Sequence, residues 1–81
     1  MKIQDIAPES VTQVYSGQDE VCRCGCKGRY FEDARNIKRI LAAAAKLEDS
    51  GAKVDWSDGL DQERIANVSH GNDHAYTVYF K

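Results

Sequence analysis

No stretch of this chain is apolar for anything near the ~18 residues that a membrane-spanning helix requires. A spanning segment is therefore not expected. Met1-Lys2-Ile3-Gln4-Asp5 holds no apolar signal core, so the expected compartment is the cytosol, where thiols stay reduced. Cysteine is scarce and odd in number. The three residues, Cys22, Cys24 and Cys26, cannot all pair within one chain, which argues against a disulfide scaffold. Proline occurs once, at Pro8, where it disfavours helix for Ala7. No repeat, low-complexity tract or linker is visible. The constellations of common hydrolytic catalysis are missing as well: no paired carboxylates, no Ser-His-Asp set, no H-E-x-x-H. Cys26 beside Lys27 is the one candidate nucleophile, and a lone neighbouring cation is too common to carry that reading. An enzyme is not expected.

What is present is 81 residues with 42% hydrophobic content, enough for one globular domain. A chain this short buries only roughly 60% of its unfolded surface. Domains of this size often add a metal, a disulfide or a partner subunit. The net charge of −2 hides a segregation. Residues 22–46 hold seven cations (Arg23, Lys27, Arg29, Arg35, Lys38, Arg39, Lys46) against Glu32 and Asp33, a surplus of five positive charges. The remainder holds four cations against eleven acids. A basic segment inside an acidic chain points to a local anion site rather than a nucleic-acid coat; the plainer alternative is a helix with a solvated basic face.

The periodicity sets out one α+β domain over residues 1–81, with a small antiparallel sheet packed on one central amphipathic helix. Residues 1–10 read as an N-terminal arm. Val11-Thr12-Gln13-Val14-Tyr15 is β-branched and aromatic, hence a strand. Residues 17–31 form a Cys/Gly/basic loop. A helix spans residues 32–50, with Ile37, Ile40, Leu41, Ala44 and Leu47 in one apolar stripe and Gly51 as the left-handed residue after it. The run Ala42-Ala43-Ala44-Ala45 is thin and would let another element come close. Glu48 and Asp49 are unfavourable so near the helix C-terminus, with no local explanation. Lys53-Val54-Asp55-Trp56 is a short strand, turned by Ser57-Asp58-Gly59. Residues 63–80 are a C-terminal hairpin. In its last strand Tyr76, Val78 and Phe80 point inward and Ala75, Thr77 and Tyr79 outward. The sheet's outer face then carries aromatics open to a partner, so a homo-oligomer is expected.

Chemistry concentrates in Val21-Cys22-Arg23-Cys24-Gly25-Cys26-Lys27-Gly28-Arg29-Tyr30. One reading is zinc: Cys22, Cys24 and Cys26 with His70 or His74 could supply four ligands. Against it, C-x-C strains to close on one small tetrahedral ion, and the histidines lie far along the chain. Small, soft packing cysteines are the alternative. A second reading is phosphate. Gly25-Cys26-Lys27-Gly28 followed by Arg29 and a helix offers backbone N–H groups, a helix N-terminus and cations to an anion. It matches neither the P-loop nor the dinucleotide fingerprint. A G-x-x-G also clamps RNA in KH domains, but there it joins two helices, and none precedes Gly25.

At these residues the chain resembles a family of small phage-encoded proteins. They carry a V-Y-x-G turn, then C-x-C-G-C-x-G-[KR]-Y, and end in a tyrosine-rich strand. Here the pattern stands as Val14-Tyr15-Ser16-Gly17, then Cys22 to Tyr30, and finally Tyr76-Thr77-Val78-Tyr79. It is similar to the first-described Thoeris anti-defence proteins. That resemblance implies an oligomeric, non-enzymatic sponge that holds a cyclic ADP-ribose signal, or a cyclic oligonucleotide, and silences a bacterial immune effector. It would act in the cytoplasm of an infected bacterium. It needs no cofactor, zinc being the one candidate. Within the implied site Arg23, Gly25, Lys27, Gly28 and Arg29 would meet phosphates, and Tyr15, Tyr30, Tyr76 or Tyr79 would stack on a purine. For each tyrosine the alternative is a half-buried strand residue. The competing function is a zinc-stabilised module that binds a host protein or nucleic acid by its surface. No membrane partner is expected, and nucleic acid is the less favoured one.

Overall fold

A computed structural model of the chain describes residues 1–17, 29–70 and 74–81, with positions 29, 30, 70 and 74 described by backbone alone. The strands are β1 (Val11–Ser16), β2 (Arg29–Phe31), β3 (Val54–Asp58), β4 (Arg64–His70) and β5 (His74–Phe80). Among the described residues one α-helix, α1 (Ala34–Asp49), lies between β2 and β3 in the chain. All five strands belong to one sheet in the order β2-β1-β5-β4-β3, and every neighbouring pair is antiparallel. β2 and β3 are thus the two edges, and α1 crosses one face of the sheet between them. This is the expected α+β class, one helix on one antiparallel sheet.

The helix begins where its sequence supplies a cap. Asp33 is extended (φ −70°, ψ 129°), and its Oδ1 accepts the N–H of Arg35 at 2.7 Å and of Asn36 at 3.4 Å. A capping acid satisfies amides that have no partner within the helix, and it suits the positive end. The helix ends at Gly51 (φ 101°), as expected from glycine's freedom there. Gly51 N–H donates to the Glu48 carbonyl and Ala52 N–H to the Leu47 carbonyl, which together make a Schellman closure. Between the caps Ile37, Ile40, Leu41 and Ala44 are buried.

The register explains the core. Val14 of β1, Val78 of β5, Ala66 of β4 and Trp56 of β3 form one row across the sheet. Cross-strand partners share a face, so this whole row looks toward α1. Val14 and Val78 are fully buried, and Ala44, with no side chain beyond Cβ, lets α1 sit close over them. Each large apolar side chain so buried contributes about 1.5–3 kcal/mol. Trp56 and Phe80 meet edge to face at 6.3 Å, sealing the β3 side.

Residues 1–10 do more than an arm would. Two single 3-10 turns, Ile3–Asp5 and Pro8–Ser10, fold this segment back, and Ile3 and Ile6 join the core. Thr12 sits at a register shift between Val11 and Gln13, a bulge in β1. Without that extra residue Val11 and Val14 could not both face the helix, because an odd separation reverses the face in a regular strand. Among the described residues no helix is long and apolar enough to cross a membrane.

Candidate functional site

The sequence-derived ligand residues divide between the two sides of the sheet. Tyr76 precedes Val78 by two positions on the core side, half-buried, where it packs against the core. Tyr15 and Tyr79 belong to the side away from α1. Tyr15 is paired with Thr77 in register, and Tyr79 with Gln13 and Ile65. Tyr15 is only 8% exposed, yet it is not part of the core cluster beneath the helix. Backbone register sets position 30 directly opposite Tyr15. Inward Tyr76, Val78 and Phe80 and outward Thr77 and Tyr79 agree with the alternation read from the sequence. Arg23, Gly25, Lys27 and Gly28, with Cys22, Cys24 and Cys26, lie outside the described residues.

One row on the core side gathers residues suited to an anion with a ring. Ser16 of β1 is paired with Tyr76 on one flank and with position 29 on the other. At a strand spacing of about 4.8 Å, the Arg29 backbone stands roughly 10 Å from that of Tyr76. Beside Tyr76 opens a pocket of about 310 Å³, lined also by Ala43, Lys46, Leu47 and Ser50 of the last helical turns. That volume is at the lower end of the range small ligands occupy. The pocket exists because Ala43 is short. A larger residue at this position of α1 would fill the space between helix and β5. Lys46 is exposed at its rim, and the Ser50 hydroxyl donates to the Lys46 carbonyl at 3.0 Å. An aromatic ring, an ammonium and a hydroxyl therefore border one space.

Lys46, Ala43 and Ser50 were not singled out from sequence as site residues. The signal was the alanine run itself, whose thinness leaves room on whichever side is not packed. A second cavity, about 440 Å³, lies between Pro8, Glu9, Val11, Glu32, Ala34, Ile37 and Lys38. Glu9 and Glu32 at its walls make it a poor place for a phosphate.

For metal, the structure brings His70 and His74 directly opposite each other across β4 and β5. Among the described residues no group of three or more His, Cys, Asp or Glu stands close enough to hold an ion. The cysteine half of the zinc reading lies outside those residues. The sheet's outer side is polar at its centre, where Thr77 Oγ1 donates to Asn67 Oδ1 at 2.9 Å.

No known family, no curated protein and no solved structure matches the chain.

Proposed function

We propose that this protein is a non-enzymatic binder that sequesters a nucleotide-type signal, a cyclic ADP-ribose derivative or a cyclic oligonucleotide, and so counters a bacterial host's defence. The observation that carries the reading is the sharing of one pocket by Tyr76 and Lys46. A ring face suits a purine and an ammonium suits its phosphate. Arg29 stands in the same row of the sheet by backbone register, and Arg23 and Lys27 precede it closely in the sequence. The likeness of the loop motif to the anti-defence proteins names the ligand class. Binding, not chemistry, is the expected activity, because a sponge needs only to hold its ligand. A cytoplasmic homo-oligomer belongs to the same reading. Its support is half-buried Tyr79 on the side of the sheet away from α1; Tyr15 on that side is already buried within the chain.

Calorimetric titration with a cyclic ADP-ribose derivative and with a cyclic dinucleotide tests this. At least one should bind, and Lys46→Ala should weaken it roughly tenfold or more, the scale of one charge-assisted contact. Lys46 is exposed, so the variant should keep the fold. Arg29→Ala or Lys27→Ala should weaken it too. Heat-free titrations with both ligands, or affinities unchanged in all three variants, would overturn the reading.

A further inference from the structure

The charge surplus read from the sequence becomes a definite surface on α1. Arg35, Lys38, Arg39 and Lys46 are all exposed. At 3.6 residues per turn, Arg35, Arg39 and Lys46 fall within about 40° of one another around the helix axis, with Lys38 about 60° to one side. Along the axis they extend over roughly 16 Å. None of the four side chains has an ion pair or hydrogen-bond partner among the described residues.

Of the acids flanking this face two are engaged elsewhere, while exposed Asp49, about one turn beyond Lys46, lies on the same side of the helix and offsets one of the cations. Asp33 is turned back to cap the helix. Glu48 accepts the backbone N–H of Ile3. No acid occurs between Ala34 and Leu47, although the chain carries thirteen. At the centre of the face lies exposed Ala42, which places nothing in front of the cations.

The arrangement of these charges selects among anions. A single phosphate or carboxylate is held by cations that converge on one point. These cations are spread over the helix, with Arg35, Lys38 and Arg39 in about the first turn and Lys46 about two turns on, so together they fit an extended anion better than a single one. An anionic membrane surface would want large apolar side chains beside the basic ones. The exposed large hydrophobics among the described residues are Met1 and Leu60, neither of them on α1, whose apolar side is committed to the core. A protein partner would want a buried anchor at the centre of the contact, and the centre here is alanine. Contacts to a phosphate backbone require neither.

We propose that the outer face of α1 is a docking surface for the phosphodiester backbone of double-stranded nucleic acid. It binds without reading sequence. Over about 16 Å each strand of a duplex presents roughly five phosphates, enough for the four cations. The net charge of −2 opposes the approach, and the local contacts that must outweigh it depend on counterion release, so binding belongs to low ionic strength. The inference does not depend on the Tyr76 pocket; because Lys46 borders both, the variants that test it leave Lys46 in place.

Fluorescence anisotropy of a labelled 20-base-pair DNA duplex, titrated with the full chain from 25 to 200 mM salt, decides it. Binding should appear at 25 mM salt. Its logarithm should fall with a slope of about −3 against log salt, as release of three to four counterions requires. Arg39→Ala should make the slope shallower by about 1. The double variant Arg35→Glu, Arg39→Glu should abolish binding while its circular dichroism spectrum and melting point stay those of the wild type. Lys53→Ala, which removes an exposed cation 4.0 Å from Asp55 and off this face, should bind as the wild type does. Absence of binding at 25 mM salt would overturn the proposal, as would binding that survives the double variant. Equal binding of poly-glutamate at matched charge would assign the face to acidic proteins. Binding to phosphatidylglycerol vesicles but not to duplex would assign it to a membrane. Either result overturns the nucleic-acid proposal.

Discussion

The backbone N–H of Ile3 donates to Glu48 Oε1 at 2.9 Å, across 45 positions of the chain. An acid that disfavours its own helix end thereby ties down the first turn of the protein. Ile3 is 1% exposed, so its amide is placed where water is scarce. Without Glu48 that donor would lose its partner, which costs more than an ordinary hydrogen bond contributes. Glu48→Ala should therefore destabilise the fold by about 1–3 kcal/mol. For a domain of this size each kcal/mol corresponds to a melting point lower by about 4–8 °C. Glu48→Gln keeps an acceptor oxygen and should lose less. Thermal melts followed by circular dichroism check both, and a Glu48→Ala variant that melts with the wild type would remove the tether from the account.

The N-cap offers a second, independent test. Asp33→Ala should cost about 1 kcal/mol and Asp33→Asn much less, because asparagine retains the accepting oxygen. Urea denaturation reads the difference as a shifted midpoint with an unchanged slope. An equal loss in the two variants would mean that charge at the helix end, not the accepted hydrogen bonds, carries the effect.

Much of this architecture is legible in the sequence, and the reasons differ by element. α1 declared itself by Ile37, Ile40, Leu41 and Ala44 at steps of three and four. The sequence sets its start at position 32 rather than 34 because Glu32 and Asp33 look like first-turn acids, whereas Asp33 is the cap. β1 follows from its β-branched and aromatic residues and β5 from alternation, and these two and β4 come within a residue of their expected bounds. β2 has three residues, too few for any period to show, and was read as part of the loop. The N-terminal segment looks like an arm in the sequence because Pro8 breaks it. The spacing of Ile3 and Ile6, one turn of a 3-10 helix apart, was the overlooked sign of burial. Glu48 was unexplained because its partner is remote in sequence, and no local rule reaches that far. Among the site residues, Tyr76 was separable from Tyr79 by strand alternation alone. The Tyr76 pocket was not legible, since it depends on how closely Ala43 brings α1 to β5.

The close seam between α1 and the sheet can be probed by size. Ala44 is fully buried in the core cluster, whereas Ala42 is exposed. Ala44→Leu must force extra methylenes into a filled space and should cost about 1–3 kcal/mol. Ala42→Leu adds the same volume into solvent, on an equally good helix former, and should change stability by less than about 0.5 kcal/mol. Urea midpoints of the pair separate packing from propensity. If both variants unfold at the same urea concentration, the helix does not approach the sheet as closely as Ala44 requires.

Metal removal tests what holds the domain together. Among the described residues the core cluster comprises Ile3, Ile6, Val11, Val14, Ile37, Ile40, Leu41, Ala44, Ala66, Val68, Val78 and Phe80, all apolar. These side chains come from the first N-terminal turn and its cap, β1, α1, β4 and β5, and they close the helix onto the middle of the sheet. His70 and His74 lie at the far end of the β4–β5 hairpin, away from that closure. If this packing is what stabilises the domain, a strong chelator should leave its melting point where it was. A zinc ion that joined the cysteines to His70 would instead put its binding energy into the folding equilibrium. The chelated protein would then melt several degrees lower and recover on adding zinc. A chelator titration with zinc add-back, followed by circular dichroism, distinguishes the two, and a reversible drop would transfer the cysteine loop from the ligand site to a structural metal site.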